Sequence, residues 1–453
     1  MEDQLEQILK EKILSAVELP VPRLTRRDKD LPCISNKAFA VIGMRRAGKT
    51  SFLHQCRGDL IAKGRNPRDL VYFNFEDERL GGLQAVDLHR VVDAHARLFP
   101  PAPGNKVGFF FDEIQLVPGW EQFCRRLLDS SNYEVFVSGS SAKLLSREIA
   151  TSMRGRAWEI LIQPFGFGEF LRHNGHSVPD DAGRLPARER AFFDNQFASY
   201  LEVGGFPEAQ EMGVTDRRKL LQGYVDVVLL RDVIERHGVG NPTALRWMVR
   251  RLLGNPAGHF SITKFAADLK SQGIPAGREM LYEFLAHLED TFLVASLPLA
   301  TDSEKRRQVN PRKVYPADTG LIPVFDRSLK ANLGHSLEVA VFHELERRGC
   351  EVGYWKSASG FEVDFAVTTA MGARELIQVC TSLEDSETRE REVRALQEAR
   401  AEWPDARAFI LTLESRLPFP EVPPGITVKP AWEWILCGDA STNVRGQVVK
   451  SGV

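Results

Sequence analysis

A strand, a glycine-bounded turn and a helix follow one another at residues 39–61. That run constrains the fold more than any other stretch of this 453-residue chain. Residues 39–42 are apolar and strand-like. Gly43-Met44-Arg45-Arg46-Ala47-Gly48-Lys49-Thr50 then places a glycine at each end of a turn, with a lysine and a hydroxyl directly after the second. Phe52, Leu53, Cys56, Leu60 and Ile61 recur at helical spacing and mark the inner face of the helix that follows. Glycine lets backbone N–H groups curl around phosphate oxygens without a Cβ in the way. Gly43, Arg45, Arg46, Ala47, Gly48, Lys49, Thr50 and Ser51 are therefore expected to cradle ATP or ADP. Lys49 would reach the outer phosphates and Thr50 would offer its hydroxyl to Mg²⁺.

The rest of the chain expands this into an α/β domain. Apolar segments at 70–75, 107–111, 135–138 and 158–162 alternate with helical stretches, which argues for a parallel sheet covered on both faces. The segment at 107–111 ends in Asp112-Glu113. Two carboxylates at the carboxyl end of a buried strand lie where open α/β sheets bind ligands. Asp112 is expected to hold Mg²⁺ through water and Glu113 to act as general base. Ser140, in a Ser-Gly-Ser-Ser turn, is the candidate for sensing the γ-phosphate, with a plain turn as the alternative. Arg154 or Arg156 either completes a neighbouring subunit's site or belongs to a solvated basic turn.

The net charge of −2 gives no globally basic body, so any nucleic-acid contact must come from a local patch. The six cysteines are scattered without metal-type spacing and fit reduced thiols. The N-terminus is acidic and mixed, and no run approaches the roughly 18 apolar residues of a membrane span. A soluble, cytoplasmic chain without a membrane partner is expected.

Five segments are expected: an N-terminal helix and linker (1–35), a P-loop ATPase domain (36–190), a helical and winged-helix domain (191–330), a further α/β domain (331–440) and a loose tail (441–453). In the middle, Ile262, Phe265 and Leu269 read as one helix and Leu281, Phe284, Leu285 and Leu288 as a second, at helix–turn–helix spacing. Between two strand-like segments beyond them lie Lys305, Arg306, Arg307, Arg312 and Lys313. These five are the candidate DNA contacts of a wing, because phosphate contacts supply most non-specific affinity. The alternative is a connector that packs on the ATPase and touches no DNA.

Together these motifs resemble prokaryotic AAA+-like ATPases of the archaeal and STAND-related group. The matching stretches are the phosphate loop, Asn74-Phe75-Glu76-Asp77, Phe111-Asp112-Glu113-Ile114-Gln115, Ser138-Gly139-Ser140-Ser141, Gly204-Gly205-Phe206-Pro207, Leu230-Arg231-Asp232 and Asn310-Pro311-Arg312-Lys313. The resemblance implies three modules: an AAA+-type ATPase, a winged helix and a C-terminal PD-(D/E)XK nuclease-like fold. In the last, Glu338 and Asp364 match acids of the nuclease pattern, whereas Gln378 stands at the second acid and Cys380 at the lysine. Glutamine brings no charge to a metal, and cysteine is a poor ligand for Mg²⁺. Both an active nuclease and a binding relic are left open. The leading functional expectation is an oligomeric ATPase acting on DNA, with a hexameric ring as one form and branch migration or helicase action as its use. An ATP-gated signalling or defence switch with a protein partner is the alternative. A small-molecule kinase fits the large C-terminal half poorly.

Overall fold

The computed structural model describes residues 2–18, 20–139, 153, 155–326, 333–415, 419 and 421–437. Ser140, Arg154 and the 441–453 tail lie outside them. The chain forms two compact units, one built from Met1–Pro164, Asp226–His237 and Asp290–Leu293, the other from Phe165–Val225, Gly238–Glu289 and Val294–Val453.

The first unit opens with helix α1 (Glu2–Glu18). It continues through β1 (Ala38–Ile42), α2 (Lys49–Ala62), β2 (Leu70–Asn74), α3 (His89–Leu98), β3 (Val107–Asp112), α4 (Trp120–Asp129), β4 (Tyr133–Ser138) and β5 (Ala157–Leu161). The strands form one parallel sheet in the order β2-β3-β4-β1-β5. Every residue of β1 and β3 is buried, as a sheet covered on both faces requires. Consecutive phenylalanines of β3 serve opposite faces: Phe110 stacks on Phe136 at 4.3 Å, and Phe109 on Phe111 at 5.3 Å. Leu9 and Ile13 of α1 are fully buried in the core that contains Phe109 and Phe111. The N-terminal helix is therefore part of the sheet domain's packing. Because all five strands run the same way, the phosphate loop after β1, Asp112 at the end of β3 and Ser138 at the end of β4 share one edge. Strand β4 lies between the other two, which lets Ser138 bridge them.

The second unit holds α5 (Phe167–His173), α6 (Ala187–Val203), α7 (Val214–Val227, its last two residues in the first unit), α8 (Pro242–Leu253), β6 (His259–Phe260), α9 (Ile262–Ser271) and α10 (Arg278–Asp290, its last residue in the first unit). It continues with β7 (Val294–Leu297), α11 (Glu304–Val309) and β8 (Arg312–Pro316). Strands β6, β8 and β7, in that order, form a small antiparallel sheet. The expected basic loop between the last two strands is helix α11, capped by the Ser303 hydroxyl accepting from the Arg306 N–H at 3.3 Å.

Helix α12 (Leu333–Arg347) leads into β9 (Glu351–Lys356), β10 (Glu362–Thr368), β11 (Arg374–Cys380), α13 (Ser386–Glu402), β12 (Arg407–Thr412), β13 (Ile426–Pro430) and α14 (Ala431–Cys437). These strands form a second sheet ordered β13-β12-β11-β10-β9, antiparallel from β9 to β11 and parallel from β11 to β13. The register between β9 and β10 shifts between Val363 and Ala366, the stretch that holds Asp364.

Candidate functional site

The first unit gathers its polar groups at the carboxyl edge of the sheet. Gly43 leaves β1 at φ 144°, and a Cβ there would meet the Ile162 carbonyl oxygen at 2.1 Å. Only glycine allows the loop to turn over β5 at that point. Lys49 is 6% exposed, and its ammonium donates to the Gly43 and Met44 carbonyls at 3.1 and 3.0 Å. Burial lowers its pKa, while Glu113 and Asp112 oppose that drop. The Thr50 hydroxyl donates to Asp112 Oδ2 at 2.8 Å, and the Tyr72 hydroxyl to the same oxygen at 2.7 Å. Ser138 donates to the other oxygen, Oδ1, and accepts the Glu113 N–H at 3.3 Å. Glu113 sits in the left-handed region at φ 55°, a conformation a side chain keeps only when its surroundings impose it. Gln115 donates to its carboxylate.

Arg45 and Arg46 sit in the loop, Arg46 at φ 65°. Arg45 makes a two-bond ion pair with Asp232, Nε to Oδ2 at 2.6 Å and Nη2 to Oδ1 at 2.9 Å. Asp232 is 5% exposed and lies on a π-helical segment, Val228–Glu235, that belongs to this same unit. Such segments recur at functional sites. In the sequence Asp232 stands out only within the Leu230-Arg231-Asp232 stretch of the family resemblance. Its partner lies 187 residues earlier, which no local pattern reveals. Two further groups went unassigned: Tyr72 and Glu76, whose carboxyl is pushed up by burial and by Glu113 and Asp112.

Arg156 lies elsewhere. Its carbonyl accepts the Ala38 N–H at 2.9 Å, and Ala38 pairs with Ala157 at the start of β1 and β5. It therefore stands at the amino edge of the sheet, about 16 Å of strand from its own phosphate loop, and its guanidinium pairs with Asp129.

In the second unit the structure corrects one candidate outright. Lys313 was expected among the DNA contacts, but it is 4% exposed. Its ammonium lies 2.6 Å from Glu338, 3.0 Å from Asp364 and 3.5 Å from Glu362. A buried lysine persists only with such partners. Burial alone would lower its pKa; the three carboxylates and Tyr315 instead hold it well above the ordinary lysine value. Lys305 and Arg306 are exposed on α11 and Arg307 is half-buried, while Arg312 is exposed and bonds Ser296 at 3.1 Å. Asp364 and Gln378 meet: Gln378 accepts the Asp364 N–H at 3.1 Å and donates to Glu392, a buried acid of α13. Burial pushes the Cys380 thiol up to about 12.

Residues 35–171 match the family model of an AAA domain, and residues 194–330 match a domain of unknown function. The uncharacterized protein MJ1544 of Methanocaldococcus jannaschii is 34% identical over 397 residues, 86% of this chain and 85% of that protein. The chain belongs to the MJ1544 family. Another relative, an uncharacterized protein of Haemophilus influenzae, is 30% identical over 331 residues, 73% of this chain and 79% of that one. Among solved structures, the Walker-type ATPase PABY2304 of Pyrococcus abyssi aligns with 13% identity and a TM-score of 0.39, covering 70% of this chain and 95% of that one. That likeness is too distant to argue from. The AAA domain and the parallel sheet agree with each other: residues 35–171 of this MJ1544-family chain form an AAA domain with a phosphate loop. Among the described residues no helix is long and apolar enough to cross a membrane.

Proposed function

We propose that the first unit hydrolyses ATP with Mg²⁺. The observation that carries this reading is the 2.8 Å bond between Thr50 and Asp112. A hydroxyl and a carboxylate, both hard oxygen donors, already touch at the mouth of the phosphate loop, and together they fit a Mg²⁺ ion. When bound, that ion neutralises phosphate charge. Lys49 exchanges the Gly43 and Met44 carbonyls for phosphate oxygens. Glu113 takes the proton of the attacking water, with Gln115 and Ser138 fixing its carboxylate and backbone. Arg156, remote from its own loop, acts in trans across a homo-oligomer, with Arg154 as the alternative finger.

The use of that hydrolysis is action on DNA. The supporting geometry is α8, the β6-β8-β7 sheet, the α9–α10 pair and the basic α11, an arrangement that reads as a winged helix with a helical wing. Lys305, Arg306 and Arg307 are the contact set, with Arg312 at its edge. A second reading, an ATP-gated switch with a protein partner, has its own support. Helix α10, the recognition position, exposes Glu279 and Glu283 beside Arg278 and Tyr282, a face poorly suited to a phosphate backbone. The C-terminal sheet with Glu338, Asp364 and Gln378 is read as a PD-(D/E)XK-like relic.

ATP turnover measured without DNA and with single strand, duplex, fork and four-way junction tests both readings. Lys49→Ala should abolish turnover. Lys305→Ala/Arg306→Ala/Arg307→Ala should remove DNA stimulation and flatten the salt dependence of binding. Turnover indifferent to every DNA overturns the DNA reading and leaves the switch.

A further inference from the structure

The carboxylates at the nuclease-like position do not fit a divalent metal. Mg²⁺ takes oxygen ligands at about 2.0–2.1 Å in near-octahedral array. Here most of these oxygens already face a donor or a cation. Asp364 Oδ1 accepts from Lys313 at 3.0 Å and Oδ2 from the Val379 N–H at 3.0 Å. Glu338 Oε1 accepts from Lys313 at 2.6 Å and from the Tyr315 hydroxyl at 2.9 Å. Glu362 is shared between Lys313, 3.5 Å from Oε1, and the His259 ring, 2.8 Å from Oε2. Gln378 spends its amide oxygen on the Asp364 N–H and its amide nitrogen on Glu392.

The structure assigns Lys313 as the built-in cation of this pocket: its ammonium stands among Glu338, Glu362 and Asp364 where a metal would have to stand, so the pocket is closed to metal and to phosphodiester cleavage. The placement is rigid. Lys313 lies on the central strand β8, registered opposite His259 on β6 and Leu297 on β7. The carboxylates come from α12 and β10, so the lysine also clasps the small sheet to the large one. The neighbouring lysine on β9, Lys356, is no substitute: it is half exposed, and its ammonium comes no nearer than 3.9 Å to Glu362.

The test is Mn²⁺ binding to the nucleotide-free full-length protein, followed by the paramagnetic signal of free Mn²⁺, with strand cleavage scored in parallel. Wild type and Asp364→Asn should bind Mn²⁺ alike, and neither should cut DNA. Lys313→Ala should gain one site, roughly tenfold or more tighter than any in wild type, and Mn²⁺ should raise its lowered melting midpoint. Adding Asp364→Asn should abolish both effects. Lys313→Met, which refills the space with an apolar chain, should melt lower without gaining the site. Mn²⁺ binding or cleavage by wild type that depends on Asp364 overturns the assignment, and that measurement stands whether or not the lysine variants fold. A folded Lys313→Ala that gains no Mn²⁺ and melts like wild type overturns it equally.

Discussion

Replacing Asp232 by asparagine should tighten ATP binding, although Asp232 would touch no nucleotide. Arg45 lies within the phosphate loop, and a guanidinium is the side chain best suited to grip phosphate. It is tied instead to Asp232 by bonds of 2.6 and 2.9 Å. Hydrogen bonds between charged groups contribute about 1.5–3 kcal/mol each where water is excluded. The Arg45 side chain is 26% exposed and that of Asp232 6%, so solvent screens part of this. A net of about 1–2 kcal/mol for the pair is reasonable. If ATP draws Arg45 onto its phosphates, that amount is subtracted from binding. Asp232→Asn keeps the shape and removes the charge, so the ATP dissociation constant should fall about 5- to 30-fold, at 1.4 kcal/mol per tenfold. Calorimetric titration of nucleotide-free protein with ATP and Mg²⁺ measures this directly. Arg45→Ala should weaken binding in the same assay. Unchanged or weaker affinity in Asp232→Asn would mean that the pair is a fixed clamp. Asp232 lies in the 226–237 segment, which belongs to the first unit while the chain on both sides of it belongs to the second.

Glu113→Gln should leave ATP binding intact and lower single-turnover hydrolysis by about 10²–10⁴-fold; normal cleavage would remove Glu113 as the base. Gly204→Ala should destabilise the second unit by about 2–4 kcal/mol in urea unfolding, because Gly204 has φ 78° and a Cβ would lie 1.9 Å from Asp318 Oδ1. That carboxylate cannot swing away, since it accepts the Gly205 and Gly320 N–H groups at 2.7 and 2.9 Å. An unchanged midpoint would show that the Gly-Gly stretch is not needed for this packing. Lys313→Met should cost more at pH 8 than at pH 5. Burial and the neighbouring Asp364 charge already push the Glu338 carboxyl above its ordinary value, and losing the ammonium pushes it further. A carboxyl raised in the folded state favours folding at low pH, and that contribution is lost as pH rises through the folded value. The deficit against wild type should therefore grow with pH towards the roughly 3–5 kcal/mol of a broken buried pair. A deficit that does not grow with pH would show that Lys313 is not holding charged carboxylates.

What the sequence by itself determined is what runs contiguously along the chain. The strand, turn and helix around Gly43–Thr50 are encoded within a dozen residues, by apolar periodicity and two glycines. The Asp112-Glu113 end of β3 is equally local, and alternating apolar segments sufficed for a parallel sheet. What only the tertiary structure decided is which distant residues meet. The buried Lys313 and the exposed Lys305 look alike in sequence, because both are cations within one short basic stretch. Burial depends on β8 lying centrally in its sheet, and on carboxylates from a helix and a strand that come later in the chain. Asp232 likewise gains a meaning only once the π-helical segment brings it to Arg45. Periodicity and spacing report a residue's local geometry. Electrostatic partnership depends on through-space distance and on the exclusion of water, and both arise only when the chain is folded.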